Sequence, residues 1–573
     1  MTTSSEKPGS VPRPSDQVLI VGGGPVGLGT AIELSTHGIT SLVVEPRREV
    51  SWLRPRAKTT SARSMEHFRR WGIADTVRKR APLPQAWSDQ VVFCTNVLGR
   101  EVTRFEHCLG LDLLHVDLVA EGGQQAPQPL IEQIMRETAA TLPSVHLEFG
   151  WKVVSLEHYS TGVQAIIEDD SGKTRTVRAS YAVGCDGPRS MVRQAIEVGL
   201  TGGQDSRPNF NIVFRSTELG SRLTLGDAVH YWVLNPDQPG VVGRMDLLDT
   251  WWCIAVGVDA AAGGADPARL VRNLIGDGSA EIPIEIVATD PWRARMQLAD
   301  RYRSGPVFLA GDAAHQNPPW GGHGFNTGIG DAVNIGWKLA AVLNGWAPPS
   351  ILDSYEAERR PVASETIAAA SRNMATLTPE LGDRRLIGTP EEFAAARATV
   401  AEAVHLTKDA EFHSLGLVLG TSYATSPIVA GESDPPIDPP PDPTVFRPTA
   451  APGHRLPHRW MPSGASLFDL LAPEYSLVGD IESPGATRII DAARQLAIPL
   501  TPVGVGIEVA NELCDAALVL VRPDQHIAWR GTDIPDPHQL LRKLTGHLTA
   551  PQAAADEPEQ PDIDADQIVG VTQ

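Results

Sequence analysis

Three short stretches hold the residues whose types and spacing could do chemistry. The first is Gly22-Gly23-Gly24-Pro25-Val26-Gly27, between the apolar run Val18–Val21 and a helical pattern that ends at Gly38. Gly22 permits a tight turn, Gly24 lets backbone approach a pyrophosphate at the helix N-terminus, and Gly27 lets helix and strand pack closely. Glu45 closes the next apolar run, Ser41–Glu45. A carboxylate at that spacing can accept hydrogen bonds from an adenosine ribose, so an adenine dinucleotide is indicated. The second stretch, Val183-Gly184-Cys185-Asp186-Gly187-Pro188-Arg189-Ser190, reads as a strand end, an acidic turn and a helix start. The third, Phe308-Leu309-Ala310-Gly311-Asp312-Ala313-Ala314-His315, is another strand running into an acidic turn. Behind it come Pro318-Pro319-Trp320-Gly321-Gly322-His323-Gly324-Phe325-Asn326 and a long helix from about Thr327 to Asn344.

These stretches need elements to hold them, and the chain supplies an α/β alternation from Gln17 onward. Residues 210–258 differ, being rich in Val, Trp and Thr with turn signals such as Asn235-Pro236, which suggests a largely antiparallel sheet. Helical text extends to about Thr425, followed by a Pro-rich stretch at 431–448. A compact region at 466–548 has strand candidates at 498–505 and 517–521. Residues 1–15 and 550–573 read as loose polar tails.

Composition narrows the function classes. The 573 residues carry 49 Lys+Arg against 69 Asp+Glu, a net charge of −20, which argues against nucleic acid or an anionic membrane as partner. With 42% hydrophobic and 21% charged residues the chain reads as an ordinary globular protein. The start, MTTSSEKPGSVPRPS, has no apolar core of a signal peptide, and the uncharged stretch from Gln17 to Ile32 is short and glycine-rich for a bilayer span. The five scattered cysteines lack a CxxC and suit a reducing cytoplasm rather than a disulfide scaffold or a cysteine-cluster metal site.

In order and spacing, the three stretches resemble the fingerprints of the group A flavoprotein monooxygenases, the para-hydroxybenzoate hydroxylase-like enzymes. The phenol hydroxylase-like branch is the most similar, through Arg54-Pro55-Arg56-Ala57, Arg63-Ser64-Met65-Glu66, Asp353-Ser354-Tyr355-Glu356-Ala357-Glu358-Arg359-Arg360-Pro361, Gly453-His454-Arg455-Leu456-Pro457-His458 and Val519-Leu520-Val521-Arg522-Pro523-Asp524. The resemblance implies an α/β fold with a discontinuous FAD-binding Rossmann-like domain over 16–205 and 291–405. A β-sheet substrate domain at 206–290 would interrupt it. A connection at 406–448 and a thioredoxin-like domain at 449–549 would follow. It also implies non-covalent FAD, NADPH or NADH as reductant and O2 as co-substrate, with an aromatic, phenol- or polyketide-like substrate hydroxylated through a flavin C4a-hydroperoxide. The alternatives are Baeyer–Villiger or epoxidising chemistry on a polyketide, and a non-catalytic flavin-binding protein. No metal, nucleic acid or membrane is implied; a homodimer is left open.

Residue by residue, the resemblance puts Gly22, Gly24, Val26, Gly27, Glu45, Arg56, Gln128, Val154, Asp186 and Asp312 on the cofactor, with Gly324, Phe325 and Asn326 at the flavin pyrimidine. Asp186 would meet both cofactors, joined by Arg189. Pro319 and His323 would position the reacting edge of the flavin. His323 stands where Gln is usual and Phe325 where Met is usual. The acid that some phenol hydroxylases use to ionise the phenol is replaced by Ala57-Lys58-Thr59. Tyr231, Trp232, Arg244 and Trp320 are the substrate candidates. His315 reads as a turn-fixing histidine rather than a base, and Cys514 without a second thiol excludes a dithiol relay.

Overall fold

The computed structural model of the protein describes residues 17–52, 58–260, 263–375, 379–431 and 442–548. Arg56, the Arg54-Pro55-Arg56-Ala57 turn, both tails and most of the Pro-rich run lie outside the described residues.

Val18–Val21 and Ser41–Glu45 are buried along their whole length. Strands covered on both faces read as unbroken apolar runs, which is why both were visible in the sequence. They belong to a six-stranded sheet in the order Arg303–Ser304, Val307–Leu309, Tyr181–Gly184, Val18–Val21, Ser41–Glu45, Val145–Phe149. The last five are mutually parallel. Parallel pairing fixes where the motifs go. The glycine loop, Glu45 and the turns at Asp186 and Asp312 all leave carboxyl ends of neighbouring strands, so they line one edge of the sheet, where such folds bind ligands. The helices Pro25–Thr36 and His323–Leu343 pack side by side behind this edge.

The second sheet has eight strands, ordered His315–Gln316, Glu285–Ala299, Leu200–Arg215, Thr250–Val256, Gly240–Arg244, His230–Val233, Val91–Cys94, Glu101–Phe105. It is largely antiparallel, as its composition suggests. Its membership, however, is wider than 206–290. Two strands come from far upstream, because pairing between distant segments leaves no local trace, and the two longest strands cross both boundaries. One face is covered by the helix Pro267–Ile275. The other carries Phe93, Trp232 and Trp252, and packs against Trp320 and the helix Pro390–Phe412. That helix starts at a Thr389/Glu392 capping box and runs past the boundary at 405.

The C-terminal unit is a four-stranded mixed sheet, ordered Leu500–Gly504, Tyr475–Gly479, Leu518–Val521, Ile527–Gly531, with the helices Pro484–Gln495, Ile507–Cys514 and Pro537–Leu544. A fully buried ion-pair network docks it on the first domain. Arg522 grips Glu358 with two 2.8 Å bonds and bonds Asp524 at 2.7 Å, while Lys338 Nζ reaches Glu358 at 2.6 Å. Opposite it, Arg63 donates to the Asp524 carbonyl at 2.6 Å, and Arg63 and Arg455 share the buried Glu66.

Candidate active site

The glycine loop is built by close approaches. Gly22 takes φ +104°, and a Cβ there would lie 2.4 Å from the Cys185 carbonyl oxygen. A Cβ on Gly27 would lie 1.9 Å from the carbonyl of Gly22. Gly24 is different: a Cβ there would meet nothing within 4 Å. Gly24 is also the N-cap of the helix Pro25–Thr36, with no side-chain cap and no acid in the first turn. The positive helix end therefore opens onto empty space of the kind a phosphate occupies. Glu45 is buried and holds the loop, accepting from Gly23 N at 2.8 Å and from Arg47 Nε at 2.7 Å. Oε1 also accepts from Arg47 N at 3.0 Å, so it is Oε2 that keeps a lone pair for a sugar hydroxyl. Gln128 begins the helix Gln128–Thr141. Val154 sits in a β-bulge, skipped between the pairs Val153 with Ile167 and Ser155 with Ile166, so its peptide groups are released from the ladder.

The two acidic turns are held differently. Asp186 braces its own turn, accepting from Ser190 Oγ at 2.5 Å and from Val192 N at 3.1 Å, and burial pushes its carboxyl upward. Asp312 stays exposed at the end of Val307–Leu309. What fixes its turn is Asp331, a fully buried acid in the helix His323–Leu343. It accepts from Gly311 N at 3.0 Å, from Arg359 Nε at 2.8 Å and pairs with His315 Nε2 at 2.8 Å. Arg359 and His315 keep the Asp331 carboxyl below its ordinary range despite burial. His315 is thus the turn-fixing histidine. Arg193 straps the turns together, donating to Ala313 O at 2.9 Å and to Pro188 O at 3.2 Å. Neither Asp331 nor Arg193 stood out in the sequence. A buried acid among the apolar residues of a helix is the signal that could have found Asp331.

The loop at 318–326 joins the site to the aromatic sheet. Gly321 and Gly322 adopt φ of +84° and +69°, and Gly322 caps the helix His323–Leu343. Asn326 braces the loop, accepting from Ser61 N at 2.9 Å and donating to Gly322 O at 2.8 Å and Thr59 O at 3.1 Å. Pro319 is exposed, and Gly324 and Phe325 are partly so. His323 is buried, its Nε2 unpartnered among the described residues, and burial drops it to about 4, so it is neutral. Beneath the loop a partly open cavity is lined by His323, Asn326, Arg359, Arg455 and Asp524 among others.

Of the substrate candidates, the structure brings two together. Trp232 stacks on Phe93 at 5.5 Å between centroids, and Trp320 lies 6.0 Å from Trp292, all on the face turned toward the loop. Tyr231 and Arg244 face the other way. Tyr231 donates to Gly226 O, and Arg244 lies over the Trp251 ring at 4.3 Å, in the core beneath Pro267–Ile275. Strand alternation explains the split, because neighbours in HYWV must point to opposite faces. Lys58, by contrast, reaches the aromatic face from the first domain, its Nζ 3.7 Å from the Trp252 ring centroid.

The arrangement fits a flavin dinucleotide. An uncapped helix start over open space can take the pyrophosphate, a second uncapped helix start at Gly322 can face the ring system, and an aromatic wall stands beside it. A family model described as "FAD binding domain" matches residues 15–370, and one described as "Aromatic-ring hydroxylase, C-terminal" matches residues 449–551. An FAD-dependent monooxygenase of Emericella nidulans is 32% identical, covering 95% of this chain and 90% of its own. A 4-methyl-5-nitrocatechol 5-monooxygenase of a Burkholderia species is 33% identical, covering 94% and 98%. The structure of the rebeccamycin biosynthetic enzyme RebC with reduced flavin superposes with a TM-score of 0.84 at 33% identity, over 93% of this chain and 99% of that one. Motifs, fold and likeness agree: the chain belongs to the FAD-dependent monooxygenases of the aromatic-ring hydroxylase family.

Proposed function

We propose that the protein hydroxylates a phenol- or polyketide-like aromatic, taking electrons from NADH or NADPH and oxygen from O2. The observation that carries this reading is the convergence, on one sheet edge, of the glycine loop, Glu45, Asp312 and the 318–326 loop beside the Trp232–Trp320 face. Bound FAD supplies the chemistry: it accepts a hydride and, once reduced, reacts with O2. The chain supplies everything else. The N–H groups of Gly24, Val26 and Gly27 would hold the pyrophosphate, with Glu45, Gln128 and Asp312 on the sugar and ribityl hydroxyls and Val154 backbone on the adenine. Helix His323–Leu343 would present its uncapped positive end to the ring and favour negative charge there. Neutral His323, Pro319 and the backbone of Gly324, Phe325 and Asn326 position the ring edge. Trp232 and Trp320 exclude water and present an apolar wall to a flat substrate.

Among the described residues no helix is long and apolar enough to cross a membrane. The five cysteines are free, which supports a reducing cytoplasm as its place. A homodimer is compatible with the arrangement and not required by it, since every residue named comes from one chain. The cofactor assignment is tested by acid precipitation of the purified protein. All yellow colour should appear in the supernatant as FAD; colour retained by the pellet, or FMN in solution, contradicts it.

A further inference from the structure

Lys58 stands where the nucleotide-binding domain meets the aromatic sheet. Its backbone belongs to the first: the Lys58 carbonyl accepts from Ala126 N at 2.7 Å, and Thr59 next to it pairs with Gln125. Asn326 ties Thr59 and Ser61 to the 318–326 loop, so Lys58 is one residue from the segment that faces the flavin. Its side chain crosses to the second domain. Nζ lies over Trp252, on the face that carries Trp232 and packs against Trp320.

A cation drawn out of water is normally paired with a carboxylate. Among the described residues none pairs with Lys58. The groups facing it from the sheet are the Trp252 ring and His230, edge-on to Trp252 at 5.3 Å, with the Cys253 thiol behind them on the opposite face. All are neutral near pH 7. Burial and the lysine itself hold His230 at about 3, and burial pushes the Cys253 thiol upward. With no anion nearby, loss of hydration lowers Lys58 to about 8, where an amine exchanges protons near neutral pH.

We propose that Lys58 is the catalytic base for the substrate: Nζ takes the proton of an acidic aromatic hydroxyl and then holds the phenolate between the Trp252 face and the flavin loop. This rests on the oxygenase reading above. The phenol O–H bond breaks and an N–H bond forms on Nζ, so two neutral groups become an ammonium–phenolate pair with no net change in charge or oxidation state. The electron pair left on oxygen feeds the ring and makes its ortho and para carbons nucleophilic, as oxygen transfer to an arene requires. Nζ returns the proton to the product oxygen on release. The substrate class is therefore an aromatic with an ionisable hydroxyl.

The test uses holoenzyme of the wild type, Lys58→Met and Lys58→Arg with 1-naphthol, 4-methylphenol and their methyl ethers, reading reductant oxidation and isotope label from O2 in the product. In the wild type kcat/KM for the phenols should rise with an apparent pKa near 8, and the ethers should react at least about 100-fold more slowly. Lys58→Met should keep its FAD yet lose about 100-fold in kcat/KM for the phenols. Lys58→Arg should preserve KM better than kcat and lose the limb near pH 8, because a guanidinium attracts a phenolate but takes no proton. Ethers oxidised as fast as phenols, or Lys58→Met within about threefold of wild type with the same pH profile, overturns the role while the oxygenase reading stands. Wild-type products lacking label from O2 overturn both.

Discussion

Gly24 and Gly27 lie one turn apart and face opposite constraints. Gly27 has the Gly22 carbonyl 1.9 Å from where a Cβ would sit, whereas Gly24 has open space. Gly27→Ala should therefore shift the loop and lower the Tm of the apoprotein as well as its affinity for FAD. Gly24→Val should leave the apoprotein Tm unchanged and still weaken FAD binding by at least about tenfold, or ~1.4 kcal/mol. Fluorescence titration of both apoproteins with FAD separates the cases; unaltered affinity in Gly24→Val would show that no phosphate approaches there. The loop and its acid were legible because close backbone approach needs glycine at fixed spacing. Asp331 and Lys58 were not. Their roles come from what the fold places opposite them, Gly311 and His315 for one and Trp252 for the other. Tyr231 and Arg244 show a related limit: alternation separates the faces of a strand, but only the packed sheet says which face looks at the site.

The elements that carried the likeness to phenol hydroxylases prove to be mating surfaces. Glu66, Arg63, Glu358, Arg455, Arg522 and Asp524 lie in four separate sequence segments and meet in one buried interface. A buried pair that loses one partner destabilises by about 3–5 kcal/mol, so Glu358→Gln should lower the Tm and loosen the C-terminal unit, seen as faster limited proteolysis than in the wild type. The pH dependence has a definite sign. Arg522 and Lys338 hold the Glu358 carboxyl well below its ordinary 4.5, so its stabilisation is present above about 4.5 and fades as pH falls toward the folded value. Glu358→Gln should lack that part of the acid sensitivity; equal acid profiles would mean the network contributes nothing. Cys514 is buried and its thiol is pushed up to about 12, so Cys514→Ser should leave turnover unchanged with or without dithiothreitol. Strands such as Val18–Val21, Ser41–Glu45 and Leu518–Val521 were readable in the sequence. The recruitment of Val91–Cys94 into the second sheet was not, because the partners lie far apart along the chain.

At the scale of the whole molecule, one sheet edge and one aromatic face must cooperate so that reductant is not spent without oxygenating anything. Asn326 braces the glycine-bearing loop at 318–326 on both sides, and Trp320 is buried in the aromatic cluster. Occupation of that face is therefore expected to be felt at the flavin. A true aromatic substrate should accelerate NAD(P)H oxidation by at least about tenfold, ~1.4 kcal/mol on the reduction barrier. The most direct measurement follows NAD(P)H consumption by the holoenzyme under isotope-labelled O2 across a panel of phenols, with mass analysis of the products. The expected result is a stimulating phenol converted to a product one oxygen heavier, the oxygen carrying the label. Stimulated oxidation that yields only hydrogen peroxide, or a product whose new oxygen comes from water, would contradict assignment as an aromatic monooxygenase.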